Sequence, residues 1–131
     1  MTSDRLLADA DVTFLTAADG GRRIAVPALS GLGYRPHIVV GDPAQRSAIK
    51  GATDVIAEEY LGVAFDSGPT VPVARDVVRV RMMLMYWPNV AYDAVVPGAF
   101  FTIREGPQVI GHGRVIRKWV EPRESRTGGV L

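Results

Sequence analysis

Two glycines, Gly111 and Gly113, lie two residues apart inside a segment that otherwise has the pattern of a long β-strand. Alternate residues of a strand point to the same side, so both glycines belong to one face. Glycine weakens a flat strand and is typical of a bend or of a close approach by another backbone. Bends of this kind are what the wall of a small barrel needs, so the feature favours a barrel over a flat sheet.

The rest of the chain contains further short segments with strand-like patterns, separated by turns rich in glycine and proline. About six strands are predicted, over residues 10–16, 34–40, 60–65, 77–86, 99–104 and 109–120. One short helix is predicted over 43–50, because Asp42 can cap it, Pro43 suits its first position and Gly51 can end it. Strands in mainly hairpin order with one short helix predict an all-β fold, a small closed antiparallel barrel.

The chain has 131 residues, which fits one domain of ordinary size. We expect the barrel to occupy residues 10–120. Residues 1–9 are predicted to be a frayed or short helical lead-in, and residues 121–131 a flexible tail.

Composition excludes several classes of function. There is no cysteine, which excludes disulfides and thiolate metal sites, and the net charge of +1 argues against a generic nucleic-acid coat. His37 and His112 are the only histidines and have no metal-ligand spacing. We find no secretory signal, no membrane span, no phosphate-binding loop and no catalytic pair. We therefore expect a cytoplasmic protein that binds no membrane, metal or cofactor and is not an enzyme.

Three segments resemble the C-terminal, third domain of elongation factor Tu. They are VTFLTAADGGR at 12–22, SGLGYRPH at 30–37 and FTIREGPQVIGHGRV at 101–115. Their order and approximate spacing agree with that family. The resemblance implies a six-stranded antiparallel barrel. In the family this barrel packs on the GTPase domain, binds the T-stem of aminoacyl-tRNA and meets the nucleotide-exchange factor, and none of these roles is catalytic.

The resemblance carries over only part of the RNA-binding surface. Glu105 and Gly106 match family positions that touch the tRNA backbone, whereas His37 stands where the family has glutamine. A threonine-containing stretch of the family is replaced here by GDPAQRSAIKGATDV, within an inserted segment, residues 41–58, whose role stays open. The loop 87–98 is also longer than its counterpart.

RNA binding is therefore the alternative function. Its candidate residues are Glu105, Gly106, His37, Arg35, Arg114, Arg117 and Lys118. Each also has an ordinary structural interpretation. Arg35 could brace its strand by pairing with a carboxylate instead of contacting phosphate, Glu105 could serve the barrel rim, and the basic last strand could simply be solvated.

The favoured function is a non-catalytic module that binds a protein. Trp87 and Tyr92 lie in a proline-flanked loop and are expected to be exposed, and exposed aromatic side chains mark interaction sites. Arg46 and Lys50 on the predicted helix are the other candidate contacts. An apolar patch over residues 82–87 could also be the face of a homodimer.

Overall fold

A computed structural model describes residues 4–52 and 57–122 of the chain. It contains six strands, β1 (Arg5–Phe14), β2 (His37–Val40), β3 (Leu61–Ser67), β4 (Val78–Leu84), β5 (Phe100–Glu105) and β6 (Gln108–Glu121), with a single 3-10 turn at Ala17–Asp19. All pairs are antiparallel and follow the order β1-β4-β3-β2-β5-β6, with β6 closing on β1. The predicted closed, all-β barrel is confirmed.

The barrel interior is filled by alternate residues of the strands, as a pleated wall with one buried face requires. On β1 these are Leu6, Ala8, Ala10, Val12 and Phe14. The barrel end where β1 begins, the upper end, is closed by Tyr92 and Val95 from the β4–β5 loop; Leu29 from the β1–β2 loop is also part of the core.

Gly111 and Gly113 allow β6 to lie unusually close to its neighbours. A Cβ added to either glycine would lie 2.7 Å from a backbone oxygen of β1, that of Thr13 or Asp11. At Gly113 it would also lie 2.6 Å from the ring of Phe101 in β5. The close backbone approach expected from the glycine spacing is therefore confirmed.

A β-bulge in β6 changes which residues face solvent. Asp9 pairs with Arg117 and the next residue, Ala10, pairs with Val115, so Ile116 has no partner in β1. One extra residue reverses the alternation of the strand. Arg114 before the bulge and Arg117 after it therefore both lie on the outer side of the barrel.

Two predictions about local structure are wrong. The lead-in over residues 1–9 is not helical where it is described, because β1 already begins at Arg5. The helix over 43–50 is not formed: Pro43 and Ala44 make a turn, and Ser47 forms a β-bridge to Gln108. A helix of this length is marginal by itself, and contacts with the barrel prevail over its local propensity.

Residues 123–131 of the expected tail lie outside the described residues. Within the described part of the chain, no helix has the length and apolar character needed to cross a bilayer.

Candidate functional site

Charged side chains cover the outer surface of three adjacent strands, β4, β1 and β6. We call this surface the arginine face and define it by Arg79, Arg81, Arg114, Arg117 and Trp119. The strand register places Asp9 between Arg81 and Arg117, and Asp11 between Arg79 and Arg114. Two carboxylates in the central strand thus lie between arginines on either side.

Hydrogen bonds order most of this face. Asp9 accepts from the Nε atoms of Arg81 and Arg117, both at 2.9 Å, and Asp11 accepts from Nε of Arg79 at 2.6 Å. Burial would raise the pKa of Asp9, but the hydrogen bonds and charges of Arg81 and Arg117 outweigh it and hold this pKa below its ordinary value. Asp9 is therefore an anion that fixes two guanidinium groups.

The indole of Trp119 lies beside the same two guanidinium groups. The Cζ atoms of Arg117 and Arg81 are 4.0 and 4.8 Å from its ring centroid, within the range of cation–π attraction. Trp119 is half-buried, whereas the side chains of Arg79 and Arg117 are each 58% exposed. The result is an ordered, accessible array of planar cations around an aromatic ring.

A groove of about 440 Å³ borders the arginine face. Its lining includes Arg114 and His112 of β6, Phe100 of β5, and Pro43 and Arg46 of the inserted segment. The turn at Asp42–Gln45, in which Asp42 accepts from the Ala44 N–H at 2.8 Å, shapes the wall formed by the inserted segment.

The inserted segment is held to the barrel by a buried ion pair that we call the latch, Arg104 with Glu58. Arg104 is fully buried and donates to both carboxylate oxygens of Glu58, at 2.9 and 3.0 Å. It also donates hydrogen bonds to Thr102 Oγ1 at 2.8 Å and to the Tyr60 hydroxyl at 3.0 Å. Hydrogen bonds from Arg104 are the main reason that the pKa of Glu58 is lowered to about 2.

Sequence reasoning missed the latch. Arg104 entered the sequence analysis only as part of the segment at 101–115, and Glu58 only as the end of the inserted segment. The two latch residues are 46 positions apart, so neither pattern nor spacing along the chain indicates their contact.

Glu105 lies at the barrel rim, and its carboxylate is engaged by two side chains of the same chain. It accepts a hydrogen bond from the Tyr34 hydroxyl and forms an ion pair with Arg22 Nε at 2.8 Å. The Tyr34 ring stacks on Phe65 with 5.7 Å between centroids. Burial, then the bond to Glu105, raises the pKa of Tyr34. Glu105 and Tyr34, from the segments 101–115 and 30–37, thus join at the lower end of the barrel, where β1 ends.

The other RNA candidates are dispersed. Gly106 takes a left-handed conformation, φ 57°, in the β5–β6 turn, and the ring of His37 packs beside Tyr60. Arg35 donates to the carbonyl of Leu32 and has no carboxylate partner in the described part of the chain, so the expected ion pair is absent there. Lys118 donates to the carbonyl of Tyr92 at the upper end. Only Arg114 and Arg117 belong to the arginine face.

The residues predicted to bind a protein are also separated. Tyr92 is only 1% exposed, so its expected exposure is wrong: its ring closes the barrel and its hydroxyl donates to the carbonyl of Gly62 at 2.7 Å. Trp87 is half-buried against the core. Arg46 lines the groove, and Lys50 lies exposed in the inserted segment.

The patch over residues 82–87 is divided between the interior and the surface of the barrel. Met82 and Leu84 are core residues, while Tyr86 is half-exposed beside Gly62. Within residues 4–52 and 57–122, no three acidic or histidine side chains come together as a metal site would require. No protein-family model matches the chain, and no curated protein matches it.

Proposed function

We propose that this protein is a non-catalytic binding module and that its arginine face binds an acidic segment of a partner protein. The observation that carries the proposal is the arrangement around Trp119, where Arg81 and Arg117 are both fixed by Asp9 and both lie beside the indole. Arginine and tryptophan are the residue types that dominate binding energy at protein interfaces.

The side chains of Arg81 and Arg117 are already held in place in the free protein, and this favours binding. A guanidinium that is already held in place loses less side-chain entropy when a partner arrives. Its remaining N–H groups can still form forked hydrogen bonds with a carboxylate. The 58% exposure of Arg117 leaves these groups accessible.

A protein partner fits the face better than RNA does. Asp9 and Asp11 lie in the middle strand and offset half of the charge of the four arginines. A phosphate backbone would have to pass close to these carboxylates, whereas a peptide can present a few carboxylates between neutral residues. Glu105, which the resemblance implies as an RNA contact, is engaged by Tyr34 and Arg22.

A display library of random peptides, selected on the full chain, tests the proposal. We expect enrichment of peptides in which Asp or Glu alternates with apolar residues, and loss of that enrichment with Arg117→Gln. Arg35→Gln is the matched control, because Arg35 is exposed and, among the described residues, its side chain bonds only to the carbonyl of Leu32 in its own turn. Selection without acidic residues, or equal selection by both variants, would refute the proposal.

RNA binding is the second candidate, supported by Arg114 and Arg117 on one face beside an aromatic ring that a base could stack on. Its signature is salt dependence, because each neutralised phosphate steepens the fall of affinity with salt. A titration with tRNA at low salt separates the candidates. Binding of tRNA tighter than that of the best selected peptide would favour RNA.

The relation to elongation factor Tu is part of the proposal. It is supported by the three sequence motifs and by a closed barrel with six antiparallel strands. The cytoplasmic location remains a prediction. A homodimer is also still a prediction, and light scattering would test it. The closed barrel leaves none of the six strands with an open edge, so a dimer would have to form through side-chain surfaces.

A further inference from the structure

The groove beside the arginine face combines two cations with an apolar floor. Arg46 enters its lining from the inserted segment and Arg114 from β6, so the cations come from separate parts of the chain. Phe100 also lines the groove and is 48% exposed, Pro43 and Val77 add apolar surface, and Asp11 adds a carboxylate. The groove could therefore hold a charged group next to an apolar one.

Arg114 differs from the other arginines of the face in having no anionic partner. Within the described part of the chain it donates no hydrogen bond, and its recorded contact is with Phe100, whose ring centroid is 5.7 Å from its Cζ. The carboxylate beside it, Asp11, is bonded to Arg79 instead. Its guanidinium fork is therefore free for a ligand.

Arg46 is positioned by its own turn. Its Nη1 atom donates to the carbonyls of Pro43 and Gln45, at 2.7 and 2.9 Å, which holds the side chain against the segment. This arrangement uses one nitrogen of the guanidinium and leaves its charge at the groove.

From these contacts we propose that the groove binds one side-chain carboxylate of the partner's acidic segment. Arg114 binds this carboxylate and Arg46 contributes a second positive charge. The apolar residue next to it in the segment packs on Phe100. The inference rests on the proposed function of the arginine face and adds a specificity pocket to it. The volume of about 440 Å³ exceeds what a lone carboxylate fills, which is why a neighbouring apolar side chain belongs to the assignment.

His112 supplies a readout specific to the groove. The charged groups around it are Arg46 from the inserted segment, Arg114 from its own strand and Asp11 from β1, which is bonded to Arg79 of β4. Burial, then the charge of Arg46, lowers the pKa of His112, so the free imidazole is neutral at about pH 7. A bound carboxylate would raise this pKa, and by linkage its affinity must increase as the pH falls.

NMR titration of the full chain with the acetylated, amidated peptide Leu-Glu-Phe-Glu tests the inference, with Leu-Gln-Phe-Gln as the uncharged control. We expect amide shifts at Arg46, Phe100 and Arg114, and tighter binding at about pH 5.5 than at about pH 7.5. Arg114→Gln should weaken binding about tenfold, the effect of one charge-assisted hydrogen bond.

The outcomes separate this inference from the proposed function. Loss of binding with Arg117→Gln but not with Arg114→Gln would overturn the groove assignment and leave the arginine face as the binding surface. Equal binding of the two peptides would overturn both. A phosphoserine version of the peptide that bound more than about tenfold tighter would overturn the carboxylate assignment in favour of phosphate. His112→Gln should remove the increase of affinity at low pH, and an increase that persisted in this variant would overturn the assignment of the pH dependence to the groove.

Discussion

The latch and the arginine face are both arginine–carboxylate clusters on the outer side of the barrel wall, and they differ chiefly in their access to water. In the latch, Arg104 is fully buried and Glu58 is 7% exposed, and Thr102 and Tyr60 accept further hydrogen bonds from the Arg104 guanidinium. On the arginine face, Arg79 and Arg117 are more than half exposed. The same residue types therefore fasten one segment to the barrel in the first place and remain available to a partner in the second.

Removing one member of the latch should have the largest effect. Arg104→Leu leaves Glu58 buried without its cation, and we expect the free energy of unfolding to fall by about 3–5 kcal/mol, measured by urea unfolding. The double variant Arg104→Leu with Glu58→Leu should recover part of this loss, because no unpaired charge remains. A loss below about 1 kcal/mol for the single variant would mean that the latch behaves like a surface pair.

Strong acid should remove the stabilisation that the latch provides. The pKa of Glu58 is about 2 in the folded protein against an ordinary 4.5, so its stabilisation is complete above about pH 4.5 and is lost as the pH falls through about 2. This shift corresponds to ~3 kcal/mol. In urea unfolding, the stability difference between the native chain and Glu58→Gln should therefore shrink over this range. A constant difference would contradict the assignment.

Structural features that depend on local sequence pattern were predicted, whereas features that depend on contacts between distant residues were missed. The β5–β6 hairpin and the close approach at Gly113 follow from alternation and glycine spacing, whereas the fourth strand is shorter than predicted, Val78–Leu84 in place of 77–86. The helix over 43–50 was predicted from good local signals, but the Ile49 N–H donates to Glu58, which no local pattern includes.

The same limit applies to the candidate site. Arg114 and Arg117 were recognised as basic residues of the last strand, yet two residues three positions apart share a face only because of the bulge at Ile116. Asp9 was not among the predicted site residues, since its pairing with Arg117 joins positions 108 residues apart. Closure of the barrel creates the arginine face by bringing β1 beside both β4 and β6.

The cluster around Glu105 is intermediate in burial, so removing one of its contacts should have an intermediate effect on the free energy of unfolding. Glu105 is partly exposed and bonded to Tyr34 and Arg22, so it lies between the latch and the arginine face in burial. Tyr34→Phe removes one charge-assisted hydrogen bond while keeping the stacking on Phe65, and we expect a loss of about 1–2 kcal/mol in urea unfolding. Arg35→Gln, next in sequence but exposed, should change stability little. If Tyr34→Phe destabilised the protein as much as Arg104→Leu, burial would not be what determines how much each cluster contributes to stability.

The smallest effect on stability should come from Arg117→Gln. Asp9 keeps its bond to Arg81 in this variant, and the side chain removed is largely exposed, so the free energy of unfolding should change by less than about 1 kcal/mol. The same substitution should abolish selection of acidic peptides, measured as described above. A loss of stability comparable to that of the latch variant would mean that the arginines of this face hold the barrel together. In that case Asp9 would stabilise the fold as the latch does, and the contrast between a buried structural cluster and an exposed binding cluster would be wrong.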